Sequence, residues 1–147
     1  MIYVYGDTIA ALILKDFMVT RFLGILLVGA TLYAFEIPNY FTWIENQTRK
    51  YHGIASSLYK TGFAVLYFNP LWIARHLFFI KFFSGQYTAV SWDLLRIGTF
   101  SFLANIPVSL IANYFIQNRI NANWRFFASA LFSALMAIYY AMSEVLF

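Results

Sequence analysis

From Ile97 to Gln117 the chain runs 21 residues without a charged side chain, and from Phe126 to Ser143 it runs another 18. A helix needs about 20 predominantly apolar residues to cross the hydrocarbon of a bilayer. A helix on the surface of a soluble domain keeps one polar face for water, so it cannot carry runs of this length. The two segments therefore predict oil, not water, as the solvent of most of the polypeptide.

Composition agrees. Of the 147 residues, 62% are hydrophobic and 11% charged, where a soluble domain has about 25% charged residues. The net charge of +4 is scattered, with Arg49-Lys50 the one adjacent basic pair, so the basic face that a nucleic acid requires is missing. The absence of cysteine removes thiolate nucleophiles, disulfides and sulfur metal sites. The start MIYVYGDTIA has neither the basic region of a secretory signal nor the Arg/Ser richness of a transit peptide.

Two further apolar windows are interrupted. Phe22 to Phe35 is flanked by Arg21 and Glu36, and Thr61 to Ala74 meets Arg75 before resuming as Leu77 to Ile80. Together the four windows predict an all-α integral membrane protein: a single four-transmembrane-helix bundle over residues 1–147, its helices at roughly 8–36, 56–83, 91–118 and 123–146, the second and third broken by Pro70 and Pro107. Residues 36–53, with Pro38, Asn39 and a charged cluster, read as a surface loop whose Tyr40, Phe41, Trp43 and Tyr51 suit the headgroup level. The turns at 84–93, with Trp92, and 118–123 are short, which predicts adjacent antiparallel neighbours. Basic residues divide four (Lys15, Arg21, Lys81, Arg96) against five (Arg49, Lys50, Lys60, Arg119, Arg125) between the two faces, which leaves the orientation open.

At an offset of 36, Lys60-Gly62-Asn69 recurs as Arg96-Gly98-Asn105, each asparagine closely followed by a proline. In antiparallel helices such an echo would describe an inverted pair of broken helices, an arrangement that builds midplane sites in many transporters; chance similarity in a low-diversity apolar sequence produces the same pattern. A helical proline leaves the carbonyl four residues back without a donor, here Leu66 and Leu103, and Asn69 and Asn105 are the local donors expected to serve them. Arg75 carries an insertion cost of about 2.5–3.5 kcal/mol at a bilayer centre. It is kept either because it snorkels toward the interface near Lys81 or because Arg75 and His76 give a cationic lining to an anionic or zwitterionic solute.

Asp16 is spaced to pair with Thr20 across one turn or to reach Arg21. Asn113 and Asn118, with Tyr114 and Arg119, either line a polar mouth or bridge helices. Gly24, Gly29, Ala128, Ala130 and Ala134 permit close helix packing. Dispersed carboxylates, two separated histidines and the lack of a phosphate loop or nucleophile motif argue against an enzyme, a metal site or a cofactor.

The spacing of the second to fourth predicted helices resembles the small family of peroxisomal and mitochondrial inner-membrane channel proteins, that of the 22-kilodalton peroxisomal membrane protein. Lys60, Pro70 and Ser84-Gly85 keep the spacing of its lysine, proline and Glu-Gly, and Trp92 follows the glycine at the family's interval. Ile106-Pro107 with Asn113-Tyr114 echoes its Trp-Pro and Asn-Phe; Gly6-Asp7, Asp16-Phe17 and Arg21 resemble its N-terminal elements, and Arg125, Tyr139 and Ser143 its closing helix. The family's Asp-Gln falls on Ala64-Val65, and its leading helix has no counterpart here. Asp7-Thr8-Ile9-Ala10 and Ile106-Pro107-Val108 are similar to AlaE-type alanine exporters, and Asn113, Asn118 and Arg119 to the ending of GtrA-type flippases.

These resemblances imply a four-helix fold and a channel or exporter for small polar or anionic solutes, in the mitochondrial inner membrane or a bacterial plasma membrane. The expected solute pathway is Asn69, Arg75, His76, Asn105 and Asn113, with Pro70 and Pro107 as helix breaks. The expected partners are the lipid bilayer and a second copy of the chain or a larger membrane complex. The rival reading is a non-transporting subunit or assembly factor, for which the 22% aromatic content is equally suited.

Overall fold

The computed structural model describes residues 2–147, and the side chains of all of these except residues 2, 3, 117, 118, 122, 123, 125, 126, 129 and 130. Asn118, Arg125 and Ala130, singled out above, thus lie outside the described side chains. Among the described residues the architecture is entirely helical: α1 (Ile2–Ile13), α2 (Val19–Val28) continued by a π turn (Gly29–Tyr33) into α3 (Ala34–Thr48), α4 (Gly53–Tyr67), α5 (Pro70–Phe83), a 3-10 turn (Tyr87–Ala89), α6 (Asp93–Asn118) and α7 (Ala122–Leu146).

Three stretches are long and apolar enough to cross a membrane: Val19–Thr48, Gly53–Phe83 and Asp93–Ile116; shorter apolar helical stretches cover Val4–Ile13 and Leu131–Leu146. The outer faces are apolar, with Leu27, Leu66, Leu103, Ile111 and Leu131 all more than half exposed. The core gathers Ile25, Val28, Tyr33, Trp72, Ile73, Leu77 and Tyr140.

The predicted first helix, 8–36, is two helices. Charge at Lys15-Asp16 ends the apolar run, Lys15 takes the left-handed conformation (φ 56°), and Asp16 N–H closes back onto the Ala11 carbonyl at 2.8 Å. The Lys15 N–H adds a bond to the Leu12 carbonyl at 3.2 Å, which completes a Schellman stop. Gly85 (φ 69°) ends α5 in the same way, with Gln86 N–H on the Lys81 carbonyl at 3.0 Å. The ends of α1, α5 and α7 and the start of α2 share one end of the bundle, where Lys81 meets Glu144 and Arg21 meets Asp16.

Residues 36–48 are helix rather than a surface loop. Pro38 lies inside α3, one turn after the π segment, and the break expected of it falls at residues 49–52. Tyr40 accordingly points inward: its hydroxyl donates to the Phe63 carbonyl at 3.0 Å and its ring lies 4.7 Å from Tyr67.

The prolines of the predicted broken pair behave differently. The helix stops at Phe68, and Pro70 restarts it at the first position of α5, where the missing N–H is harmless. Asn69 is the cap: its side-chain oxygen accepts from Trp72 N–H at 3.0 Å, so it satisfies a donor instead of serving Leu66. α6 runs unbroken through Pro107, and Asn105 donates to Ser109 Oγ (2.7 Å) and Tyr140 Oη (3.0 Å) rather than to Leu103. The echo at an offset of 36 does not extend to packing either. A Cβ on Gly98 would stand 2.6 Å from the Pro70 carbonyl, whereas one on Gly62 would meet nothing.

Gly98 therefore lets α6 press against the backbone at the α4/α5 break. Gly98→Ala is expected to lower stability by about 1–3 kcal/mol, the usual range for overpacking, because the atom it meets is main chain and cannot rotate away. Gly62→Ala is the matched control, and thermal unfolding in detergent measures both.

A charged cleft beside the α4/α5 break

The cleft is built by two irregularities facing each other. The π turn Gly29–Tyr33 and the following turn of α3 bring Tyr33 and Glu36, three residues apart, onto the face that meets α5. Across from them, the restart at Pro70 sets Trp72 and Arg75 on the first turns of α5. Arg75 Nη2 donates to both oxygens of Glu36, at 2.8 and 3.1 Å, and its guanidinium lies 5.6 Å from the centre of the Tyr33 ring.

Glu36, Tyr40, Tyr67, Asn69, Trp72 and Arg75 line a cavity of about 290 Å³, together with Leu71. Its chemistry is an acid and a base at one end, an amide at the helix break, and aromatic walls. The side chains of Arg75 and Glu36 are 34% and 30% exposed. Glu36 lies close to the middle of the Val19–Thr48 helix, about 4 Å along the axis from its centre at 1.5 Å per residue. In a bilayer that level is hydrocarbon, where an ion pair open on one side demands water or a polar solute beside it.

Arg75 and Asn69 thus share one cavity, and the structure parts them from the other predicted pathway residues. His76 is one residue on, rotated by about 100°, fully buried, with Nδ1 3.0 Å from the Tyr33 hydroxyl and its ring stacked on Trp72. Asn105 binds Tyr140, whose ring packs against the far side of the aromatic wall at 6.0 Å from Trp72. Asn113 donates to the Ser109 carbonyl at 2.9 Å, within α6. The α6/α7 seam is completed by a Ser101–Ser143 hydroxyl pair and by Tyr139 Oη donating to the Ser101 carbonyl at 2.9 Å.

Deeper in the bundle, Arg21 and Asp7 form a bidentate pair, Nη2 to Oδ1 at 2.5 Å and Nε to Oδ2 at 3.0 Å, at 3% and 1% residue exposure. The expected Asp16 contact is also made, at 3.4 Å, but it is the weaker arm. Three residues of these sites are not evident from the sequence: Glu36, expected in a loop; Asp7, conspicuous through resemblance alone; and Tyr67. One signal does point to Glu36. It follows the Phe22 to Phe35 window directly, and an arginine inside an apolar helix needs a carboxylate at similar depth.

Neither protein-family models, nor curated proteins, nor solved structures give a match to this chain.

Proposed function

We propose that this is a small membrane channel or exporter for small polar, anionic or zwitterionic solutes, acting without catalysis. In this reading four segments cross the bilayer, at 19–48, 53–83, 93–118 and 122–146, and α1 is a half-depth arm packed on α7. The observation that carries the reading is the Arg75–Glu36 pair, one-third exposed and beside a helix break, with Glu36 near the middle of its apolar stretch. Enclosing an ion pair is repaid only when its geometry is good and its remaining polar atoms are bonded. This one is open to a cavity of solute size.

Arg75 selects for the negative group of the solute, Glu36 for a positive one, and Asn69 and Tyr67 supply neutral hydrogen bonds. The chain is read as a divergent relative of the peroxisomal and mitochondrial channel family, in a mitochondrial inner or bacterial plasma membrane. A bundle this slender encloses little volume, so a second copy is expected to complete the conduit.

Flux of radiolabelled small zwitterions and anions into liposomes containing only this chain tests the proposal. Flux is expected in the wild type and in Lys50→Ala, and at least a tenfold loss in Arg75→Ala. Absence of flux from the wild type, with co-purifying membrane subunits, would replace transport with the assembly-factor reading.

A further inference from the structure

The molecule has a second polar cavity, of about 240 Å³, at the end of the bundle where α1, α5 and α7 finish and α2 begins. Asp16, Arg21, Lys81, Gln86 and Glu144 line it, with Ala141 at its floor. Arg21 and Lys81 are buried residues, at 3% and 8% exposure. Their carboxylate partners are the wetter members, with side-chain exposures of 45% for Asp16 and 39% for Glu144.

The bonds in this cavity are unequal. Arg21 spends Nε and Nη2 on Asp7, and turns Nη1 toward the cavity, where Asp16 stands at 3.4 Å. That is well beyond the roughly 2.7–2.9 Å of a strong charge-assisted bond. Lys81 holds Glu144 at 2.5 Å and Gln86 Oε1 at 2.8 Å. The lining carries two cations and two anions, with Asp7 standing behind Arg21, so a small solute bearing one charge of each sign enters by exchanging partners, with no net charge moved into low dielectric. A lone anion or cation has no such compensation.

The cavity and the cleft both lie against α5. Arg75 and Lys81 sit six residues apart on α5, about 9 Å along its axis. His76, next to Arg75 on α5, is fully buried and bonded to Tyr33. We infer that the Arg21/Lys81 cavity is a second binding station for the zwitterionic class of solute, set apart from the Arg75/Glu36 cleft along α5. The inference rests on the transport reading for the identity of the solute, but it makes a binding claim of its own.

The chain has no cysteine, so a single Ala141→Cys reports on this cavity alone. In the full-length protein in liposomes, its rate of modification by a small methanethiosulfonate is measured with glycine, and with acetate or methylammonium as half-ligands. Glycine is expected to slow labelling at least fivefold at concentrations where either half-ligand does not. The protection is expected to persist with Arg75→Ala and to vanish with Lys81→Gln. Should Ala141→Cys fail to insert, Val145→Cys, on the same cavity rim, takes its place.

No protection by glycine, equal protection by a half-ligand, or protection abolished by Arg75→Ala would overturn the second station. Protection without liposome flux would leave the station standing and remove the transport reading. Flux without protection would do the reverse.

Discussion

Asp7→Ala is expected to destabilise the protein by about 3–5 kcal/mol, the range for breaking a buried ion pair by removing one partner. The pair is almost completely buried, and Arg21 would be left with only the 3.4 Å contact to the wetter Asp16. Removing one member of such a pair is far more damaging than losing both, because the survivor stays charged with nothing to balance it. The double variant Asp7→Ala/Arg21→Met should therefore recover most of the loss. Unfolding of the four proteins of this cycle in detergent gives the coupling energy directly. A double variant as unstable as Asp7→Ala would mean that packing, not charge, accounts for the defect.

The second large effect concerns the cleft. Glu36→Ala leaves Arg75 without a carboxylate inside an apolar stretch, at a cost of up to roughly 2–3 kcal/mol on insertion scales, moderated by the cavity that wets it. Stability should return in Glu36→Ala/Arg75→Ala, since both charges are then gone. Flux should not return, because the proposed solute site is gone as well. Parallel measurements of thermal stability and liposome flux separate the two: recovery of both would show that the pair is structural and that the conduit lies elsewhere.

Three prolines illustrate what can be read along a chain and what cannot. Each removes the same hydrogen bond, and local chemistry predicts that Pro38 stops a helix while Pro70 and Pro107 break theirs. In the structure Pro38 and Pro107 are carried inside helices and Pro70 alone marks an interruption. The deciding difference is not at the proline. Asn69 caps the new helix at Pro70, and Gly98 on α6 leaves room for the exposed backbone of the break. α6 makes the Asn105, Ser109 and Tyr140 bonds as a continuous helix. One lost bond is smaller than these tertiary terms, so local chemistry alone could not rank the outcomes.

The candidate site divides in the same manner. Arg75 and Asn69 stand out because charge and amide are conspicuous in apolar sequence. His76 stands out for the same reason, yet one residue of helical rotation sends it into the core. Glu36 is hidden by the expectation of a loop, and its partnership with Arg75 spans 39 residues. Tyr67 is indistinguishable from the other aromatics, because nothing local says which ring faces a cavity.

The amino-acid sequence alone determined the helical class: few charges, and long apolar runs of the kind that bond their backbone internally as helices. It also set Arg21 and Arg75 apart as charges in or beside apolar windows, with their partners left open and Asp16 one candidate for the first. The tertiary structure decided which carboxylates fill those roles, Asp7 rather than Asp16 for the first and Glu36 for the second. Opposite charges in a low dielectric pair with the partner that helix packing brings within about 3 Å, and that distance is set by the closing of the bundle, not by separation along the chain.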